Sequence, residues 1–387
     1  MRATKRVGLY LLIITVWISG ALAEEPFRFA VLCDSRSEWK TQKCTDENSG
    51  VSPILSVVVQ HILRLHQSSP IQLILFPGDL IAGMLKRDQA TVADCNIVQL
   101  RRWREIVSPL MENGISLRVT PGNHEVQSVE LGMESCGNHN WAYIPELANF
   151  QALTMVCGDM RAGESGPDSD LGWTYSFDMG PAHFVLLSSY TLFENNSFSN
   201  QTISWLIKDL QKAKRAGRIL FVASHAPAFP GSRHMTNSLS FYDPTYHCDG
   251  YGPPSGIDRR NQRDRFWNIL KQHGVVAYFC GHEHNIQVQE VEGVWHVVSA
   301  GLTPQLYGLN GADKSQKANT ILYDGELQNP RASELWPWSY DKKAYWGYVL
   351  VTLDGDEATM DVYGTTSFPE KPEDFTLVKT FQLRHRR

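Results

Sequence analysis

The stretch Val119-Thr120-Pro121-Gly122-Asn123-His124-Glu125 closes an apolar run in which Ile115 and Leu117 alternate with polar residues. The alternation predicts a β-strand, and the Pro-Gly pair ends that strand in a turn. In the turn, Asn123 offers a neutral oxygen to a cation, and His124 offers an imidazole that gains or loses a proton near pH 7. Taken alone, so short a motif is weak, and an ordinary solvated turn explains it better.

Four further apolar runs end on residues of the same chemical kind. They are Phe27 to Cys33 before Asp34, Ser35 and Arg36; Ile71 to Pro77 before Gly78 and Asp79; Ile219 to Ser224 before His225; and Val275 to Cys280 before His282 and His284. Ligands of α/β proteins gather at the carboxyl ends of the strands. Strands that each deliver Asp, Asn or His to that edge therefore predict a metal site.

The first 23 residues have the three parts of a secretory signal peptide. Arg2, Lys5 and Arg6 precede the apolar run Val7 to Ile18, and Ala21-Leu22-Ala23 supplies the small residues of a cleavage site. The apolar run is shorter than the ~20 residues that a membrane span needs, so we expect cleavage after Ala23 and a secreted or periplasmic protein. Loss of three positive charges would take the net charge from -5 to -8. Such an acidic chain is a poor non-specific binder of nucleic acid or anionic lipid.

The remaining chain is expected to form a single domain, residues 24–387, because it contains no repeat, low-complexity tract or linker. Its 42% hydrophobic and 11% aromatic content is that of a globular protein, and no second apolar stretch reaches membrane-spanning length. Long insertions are predicted near 35–51, 126–172, 229–256 and 302–345. Such loops often bind ligands. The third carries Arg233 and His234, which we expect to contact substrate unless that loop simply packs on itself. The sequence leaves the oligomeric state open.

The seven cysteines cannot all pair within one chain, because their number is odd. Cys33 and Cys280 lie inside apolar strands, where a buried free thiol is expected. Among the cysteines of the loops, Cys136 with Cys157 is the most plausible bridge.

The alternation of strands with helical patterns predicts an α/β fold with a mostly parallel layer and helices packed on it. The helical patterns are Ile54 to Leu65, Val98 to Leu110, Ile203 to Leu210 and Asp258 to Gln272. Short strands joined by tight turns are predicted to form a second sheet stacked on the first; they are Thr174 to Phe177, Phe184 to Ser188, Ile286 to Val291, Val294 to Ala300, Tyr348 to Leu353 and Thr359 to Tyr363.

With all five blocks in the same order, the chain resembles the calcineurin-like metallophosphoesterase superfamily, which shares its fold with purple acid phosphatases. The resemblance runs from about Phe27 to Ala300. It implies two stacked mixed β-sheets flanked by helices, with two metal ions at the carboxyl edge of the sheets. It further implies that His124 binds a phosphoryl oxygen and protonates the leaving group. The implied ligands are Asp34, Asp79 and His284 at the first ion, with Asp79 shared by the second ion and Asn123, His225 and His282 completing it.

Two divalent ions about 3.5–4 Å apart would neutralise the charge of a phosphate ester and generate hydroxide near pH 7. Carboxylate, amide oxygen and imidazole suit Mn, Fe and Zn alike, so the identity of the metals stays open. We therefore expect an exported phosphoesterase that cleaves a phosphoric mono- or diester with metal-activated hydroxide. The alternative is a non-catalytic, metal-containing protein that binds a phosphate-bearing partner. The presence of His124 favours the enzyme, because binding alone needs no proton donor.

The chain departs from the superfamily's pattern at Arg36, where a histidine ordinarily follows the first aspartate by two residues. A guanidinium has no lone pair and keeps its proton, so Arg36 cannot be a metal ligand. We expect the first metal site to be weak or empty as a result. Arg36 either turns outward to pair with a carboxylate such as Glu38, or grips the substrate phosphate as a catalytic and substrate-binding residue. A second departure is Ala82, which replaces the tyrosine of purple acid phosphatases and disfavours that branch.

Overall fold

The computed structural model describes residues 25–37, 50–83, 92–126, 164–167, 173–189, 198–231, 238–239, 242–243, 257–258, 260–307 and 345–383. The predicted signal peptide, the predicted Cys136–Cys157 bridge and most of the predicted insertions lie outside these residues. Within them, no helix is both long enough and apolar enough to cross a bilayer.

The strands, in chain order, are β1 Phe27–Val31, β2 Leu73–Pro77, β3 Ser116–Thr120, β4 Glu164–Ser165, β5 Tyr175–Met179, β6 Ala182–Leu187, β7 Ile219–Ser224, β8 Tyr242–Asp243, β9 Ile257–Asp258, β10 Ala277–Cys280, β11 Ile286–Val291, β12 Val294–Ser299, β13 Trp346–Asp354, β14 Glu357–Thr365 and β15 Thr376–Leu383. The helices are α1 Pro53–Ser68, α2 Val92–Glu112, α3 Asn123–Val126, α4 Asn200–Arg215 and α5 Arg260–His273, with a 3₁₀ turn at Pro372–Asp374.

Two mixed sheets form the centre of the fold, and they confirm the predicted architecture. One sheet has the strand order β15-β14-β13-β1-β2-β3, and the other has the order β11-β12-β10-β7-β6-β5-β4. In the first sheet β1, β2 and β3 are parallel; in the second, β6, β7, β10 and β12 are parallel. The carboxyl ends of the parallel strands therefore meet along one edge of each sheet.

The expectation that the site-bearing strands share one layer is wrong. β1, β2 and β3 belong to the first sheet, whereas β7 and β10 belong to the second, and the short antiparallel strands are divided between both sheets. The physical reason is that all five strands are covered on both faces, by a helix layer and by the opposite sheet. Strands of that kind appear in the sequence as continuous apolar runs. Such runs do not indicate which strand lies next to which in a sheet.

The space between the sheets is filled by a cluster of phenylalanine rings. Phe29 in β1 makes edge-to-face contacts with Phe184, Phe221 and Phe279 of the other sheet, at centroid distances of 5.0, 5.0 and 5.8 Å. All four rings are fully or almost fully buried. Each such pair contributes about 0.5–1.5 kcal/mol beyond the burial of its area. The rings thus fix the two sheets, and with them the two sets of strand ends, relative to each other.

The predicted helices cover the outer faces of the sheets. Trp103 of α2 packs on Phe76 of the first sheet, at a centroid distance of 5.4 Å. On the second sheet, Trp267 of α5 packs against Tyr278. Helix α1 begins where Ser52 accepts a hydrogen bond from the Ile54 amide. Cys33 and Cys280 are buried free thiols, as predicted.

Candidate metal centre

Four of the predicted ligands lie on turns whose backbone is in the left-handed region. The φ angles are 58° at Asp34, 51° at Asp79, 75° at His282 and 48° at His284. A residue with a Cβ atom pays of order 1–3 kcal/mol for such a conformation, and strain of this kind concentrates at functional sites. The turns therefore direct these side chains to one place at a cost in stability.

Hydrogen bonds between these turns connect the ligand residues of the first sheet to those of the second. The His282 amide, in the second sheet, donates to Asp34 Oδ2 in the first, at 2.9 Å. In a second contact of the same direction, the ring of His225 lies with Nδ1 2.9 Å from the Pro77 carbonyl oxygen of the first sheet. A carbonyl can only accept, so Nδ1 carries the hydrogen and donates. The other nitrogen, Nε2, is left facing the site.

Asp79, His225 and His282 form one of two groups among the described residues whose ligand atoms all lie within 4.8 Å of one another; the other is Cys33, Asp34 and His225. His225 Nε2 is 3.3 Å from Asp79 Oδ1 and 3.2 Å from His282 Nδ1. Burial lowers the pKa of His225, but the Asp79 carboxylate more than offsets it and raises that pKa to about 9. A divalent ion would bind in place of the proton on Nε2 of His225.

Three buried oxygen atoms point to the same conclusion. Asp34 Oδ1, Asp79 Oδ2 and Asn123 Oδ1 accept no hydrogen bond within the part of the chain that is described. An acceptor buried without a partner is costly, and a cation removes that cost. Burial, with the neighbouring Asp79 carboxylate, raises the pKa of Asp34 to about 7. Burial acts on Asp79 in the same direction, but His225 and the other positive neighbours hold its pKa well below the ordinary range. This donor set fits Mn, Fe or Zn.

His124 lies beside this ligand group. Its backbone amide donates to Asp79 Oδ1 at 3.0 Å, and its ring Nδ1 lies 2.8 Å from the Ala82 carbonyl oxygen, to which it donates. That bond leaves Nε2 directed into the site, 3.8 Å from Asp79 Oδ2. Burial, reinforced by the charge of Arg36, lowers the pKa of His124 to about 4.

Arg36 turns inward, so the outward alternative is wrong. Its side chain is buried, with Nε 3.6 Å from Asp79 Oδ2 and Nη2 2.7 Å from His284 Nε2. His284 Nε2 is itself 3.6 Å from Asp34 Oδ1. The guanidinium thus lies among the residues that the resemblance assigns to the first ion.

Two residues of the site were not singled out in the sequence. The Glu125 carboxylate accepts hydrogen bonds from the amides of Gly122, Asp79 and Ile81, at 2.7, 3.0 and 3.1 Å, and so ties two ligand turns together. A glutamate three residues after a helix-capping position was the available signal. The ring of Tyr307 stacks on His284 at 4.4 Å. No pattern in the sequence marks it, because it follows no strand.

The structure brings most of the predicted site residues to one edge of the two sheets; they are Asp34, Arg36, Asp79, Asn123, His124, His225, His282 and His284. Their individual roles stay predictions. Arg233 and His234 lie outside the described residues.

Comparison with known proteins gives one family. A family model described as calcineurin-like phosphoesterase matches residues 53–285. Purple acid phosphatase 23 of Arabidopsis thaliana is 27% identical over 183 residues, which are 47% of this chain and 31% of that protein. Acid phosphatase type 7 of Mus musculus is 21% identical over 354 residues, 84% of this chain and 68% of that protein. The chain thus spans about a third of the length of the plant relative.

Solved structures share the fold. A purple acid phosphatase, PPD1, from yellow lupin seeds superposes with a TM-score of 0.58 at 13% identity, over 92% of this chain and 53% of that one. A dimetal phosphatase from Danio rerio gives a TM-score of 0.51 at 13% identity, over 94% of this chain and 100% of that one. The similarity extends to purple acid phosphatases although Ala82 replaces their tyrosine. Here Ala82 contributes its carbonyl oxygen, which orients His124.

Proposed function

Because this chain belongs to the calcineurin-like phosphoesterase family, we propose that it is an exported, metal-dependent hydrolase of phosphoric mono- or diesters. The observation that supports this most strongly is the buried group of Asp79, His225 and His282 with His124 beside it. Carboxylate and imidazole ligands next to a separate imidazole provide both a place for a divalent ion and a proton donor.

In this proposal, Asp79, Asn123, His225 and His282 hold the ion. Such an ion neutralises the charge that makes a phosphate ester resist attack, and it lowers the pKa of water. The chain contributes orientation: the Pro77 carbonyl fixes the ring of His225, and the short contacts between the two sheets fix the distance between the ligands. Buried surroundings exclude competing water from these groups.

His124 is the proton donor to the leaving oxygen. Its Nδ1–H is held by the Ala82 carbonyl oxygen, so only Nε2 is available to the substrate. When Nε2 is protonated, it donates to a phosphoryl oxygen and then passes its proton to the leaving group, which would otherwise depart as an alkoxide. Proton transfer of this kind contributes about 10²–10⁴-fold to a rate.

Arg36 binds the phosphoryl group in this scheme. Its Nε–H has no hydrogen-bond partner among the described residues, although the side chain is only 9% exposed. A planar guanidinium with a free donor matches the geometry of phosphate oxygens better than an ammonium does.

The runner-up function is a non-catalytic protein that holds a metal and binds a phosphate-bearing partner. The observation that favours it is the inward position of Arg36, which is suited to binding whether or not hydrolysis follows. His124 favours the enzyme, because a binding protein has no use for a proton donor whose ring is fixed by a separate hydrogen bond.

The test is a panel of monoester and diester substrates assayed with the purified mature protein before and after chelation. We expect hydrolysis that falls by about 10²-fold or more when the metal is removed and returns when Mn²⁺, Fe²⁺ or Zn²⁺ is added back. Binding of phosphate compounds without hydrolysis of any of them, with metal present, would instead support the runner-up function.

Export is supported by the composition of residues 1–23 and is tested separately. Mass spectrometry of the protein from its native host should find a mature chain that starts at Glu24, because Ala21-Leu22-Ala23 forms the cleavage site. Full-length protein recovered from the cytoplasm would contradict this part of the proposal.

A further inference from the structure

The guanidinium of Arg36 occupies the place where the first metal ion is expected. Its Nη2 is 2.7 Å from His284 Nε2, and its Nε is 3.6 Å from Asp79 Oδ2. Asp34 closes the group, with Oδ1 3.6 Å from the same nitrogen of His284. The side chains implied to hold an ion there therefore surround a fixed positive charge of the chain itself.

The hydrogen bonds of His284 decide whether it could also bind a metal. Its Nδ1 lies 3.0 Å from the Gln305 carbonyl oxygen, which only accepts, so Nδ1 carries the hydrogen. The neutral ring then has one lone pair, on Nε2, and Arg36 Nη2 donates to it. A guanidinium has no acceptor, so the reverse direction is excluded. One lone pair cannot bind a metal ion while it accepts this hydrogen bond.

The position of the His284 ring is built into the fold. Tyr307 stacks on it nearly parallel, at 10° between the ring planes. The Tyr307 amide donates to the His284 carbonyl oxygen at 3.0 Å, and Asn285 Nδ2 donates to the Tyr307 carbonyl oxygen at 2.7 Å. These contacts hold the ring so that its lone pair faces Arg36.

The charges lead to the same conclusion. Arg36 keeps its proton in a protein, and it lies against the carboxylate that a second ion would share. A dication placed there would repel a buried guanidinium at close range. The other ligand group contacts the guanidinium only through one oxygen of Asp79, because Arg36 Nε is 3.6 Å from Oδ2 whereas His225 Nε2 lies 3.3 Å from Oδ1. Asn123 Oδ1 accepts no hydrogen bond among the described residues.

We infer that Arg36 replaces the first metal ion and that the chain binds a single divalent ion, at Asp79, Asn123, His225 and His282. His284 is then a positioning residue that anchors Arg36, and not a metal ligand. The inference deepens the proposed function and rests on it for the identity of the site as a phosphoesterase centre. The N–H donors of the Arg36 guanidinium then bind the substrate phosphate where a second ion would otherwise bind it.

The matched pair His282→Ala and His284→Ala tests this directly, because the two histidines stand two residues apart on the same turn. The purified proteins are loaded with Mn²⁺, freed of excess ion, and analysed by elemental mass spectrometry. We expect about one ion per chain in the unmodified protein and in His284→Ala, and almost none in His282→Ala. Arg36→His should raise the content towards two, because it removes the charge and supplies a lone pair.

Arg118→His is the control, since it places a histidine at another buried arginine whose guanidinium packs over Phe177. Its metal content should stay at one, and circular dichroism verifies the fold of every variant. The Mn²⁺ EPR spectrum gives a second readout, because an isolated ion and a spin-coupled pair differ in line shape. For the unmodified protein we expect the spectrum of an isolated ion.

Two ions in the unmodified protein, no ion at all, or equal losses in His282→Ala and His284→Ala would overturn the inference. These outcomes are separable from failure of the proposed function. Hydrolysis by a protein with two ions would leave the function intact and remove the role given to Arg36. One ion per chain without hydrolysis of any phosphoester would support the role given to Arg36 and contradict the proposed function.

Discussion

Asp79→Asn is expected to abolish metal binding and to lower kcat/KM by about 10³-fold, the largest effect of any single ligand change. Asp79 supplies the carboxylate of the ligand group that contains His225 and His282, and its charge is balanced by His225 at 3.3 Å and Arg36 at 3.6 Å. The amide keeps the shape but loses the charge that attracts a cation. A metal ion contributes several kcal/mol to such a reaction, and each 1.36 kcal/mol is tenfold in rate.

Asp209→Asn provides the matched control. Asp209 is a buried aspartate of α4 that bonds Ser176 at 2.9 Å and His183 at 2.8 Å, in a network that involves none of the proposed metal ligands. Its replacement should lower stability and leave the metal content unchanged. Elemental analysis and steady-state kinetics on both variants decide the question. An Asp79→Asn protein that keeps its metal would show that the ion lies elsewhere.

His124→Ala is expected to lower kcat by about 10²-fold or more while the metal content stays at its original value. The imidazole is 3.8 Å from Asp79 Oδ2 but is held by the Ala82 carbonyl oxygen, so its loss removes a proton donor and no ligand. Loss of the metal in this variant would contradict the role given to His124. A variant unchanged in both rate and metal content would contradict the enzyme itself.

The pH dependence of kcat/KM in the unmodified protein and in His124→Ala tests the role of His124 as a general acid. A general acid works only while protonated, so activity should fall as the pH rises through the pKa of His124. Burial and the charge of Arg36 lower that pKa from the usual value of 6.5 to about 4. The fall in kcat/KM, which reports the free enzyme, is therefore expected on the acid side of pH 6.5. His124→Ala should lack this limb of the profile.

Much of the site could be predicted because its ligands follow apolar runs directly. Asp34, Asp79, His225 and His282 each come within two residues of a predicted strand end, and the carboxyl ends of parallel strands meet at one edge. This prediction does not depend on which strands are assigned to the same sheet. The residues consequently converge in the structure even though the five strands are divided between two sheets.

The remaining features depend on contacts that no local pattern encodes. The inward direction of Arg36 is set by His284, which is 248 residues away in the chain. The ring of His284 is in turn fixed by Tyr307, which is itself in neither a strand nor a helix. Glu125 ends the stretch Val119 to Glu125, but two of its three backbone partners, Asp79 and Ile81, come from a turn that only the fold brings close.

The central test of a one-metal phosphoesterase is a titration of the metal-free protein with Mn²⁺ while hydrolysis of its best phosphoester substrate is followed. We predict that activity rises in proportion to added metal and reaches its maximum at one ion per chain. A maximum at two ions per chain, hydrolysis that needs no metal, or no hydrolysis at any ratio of metal to protein would contradict this prediction.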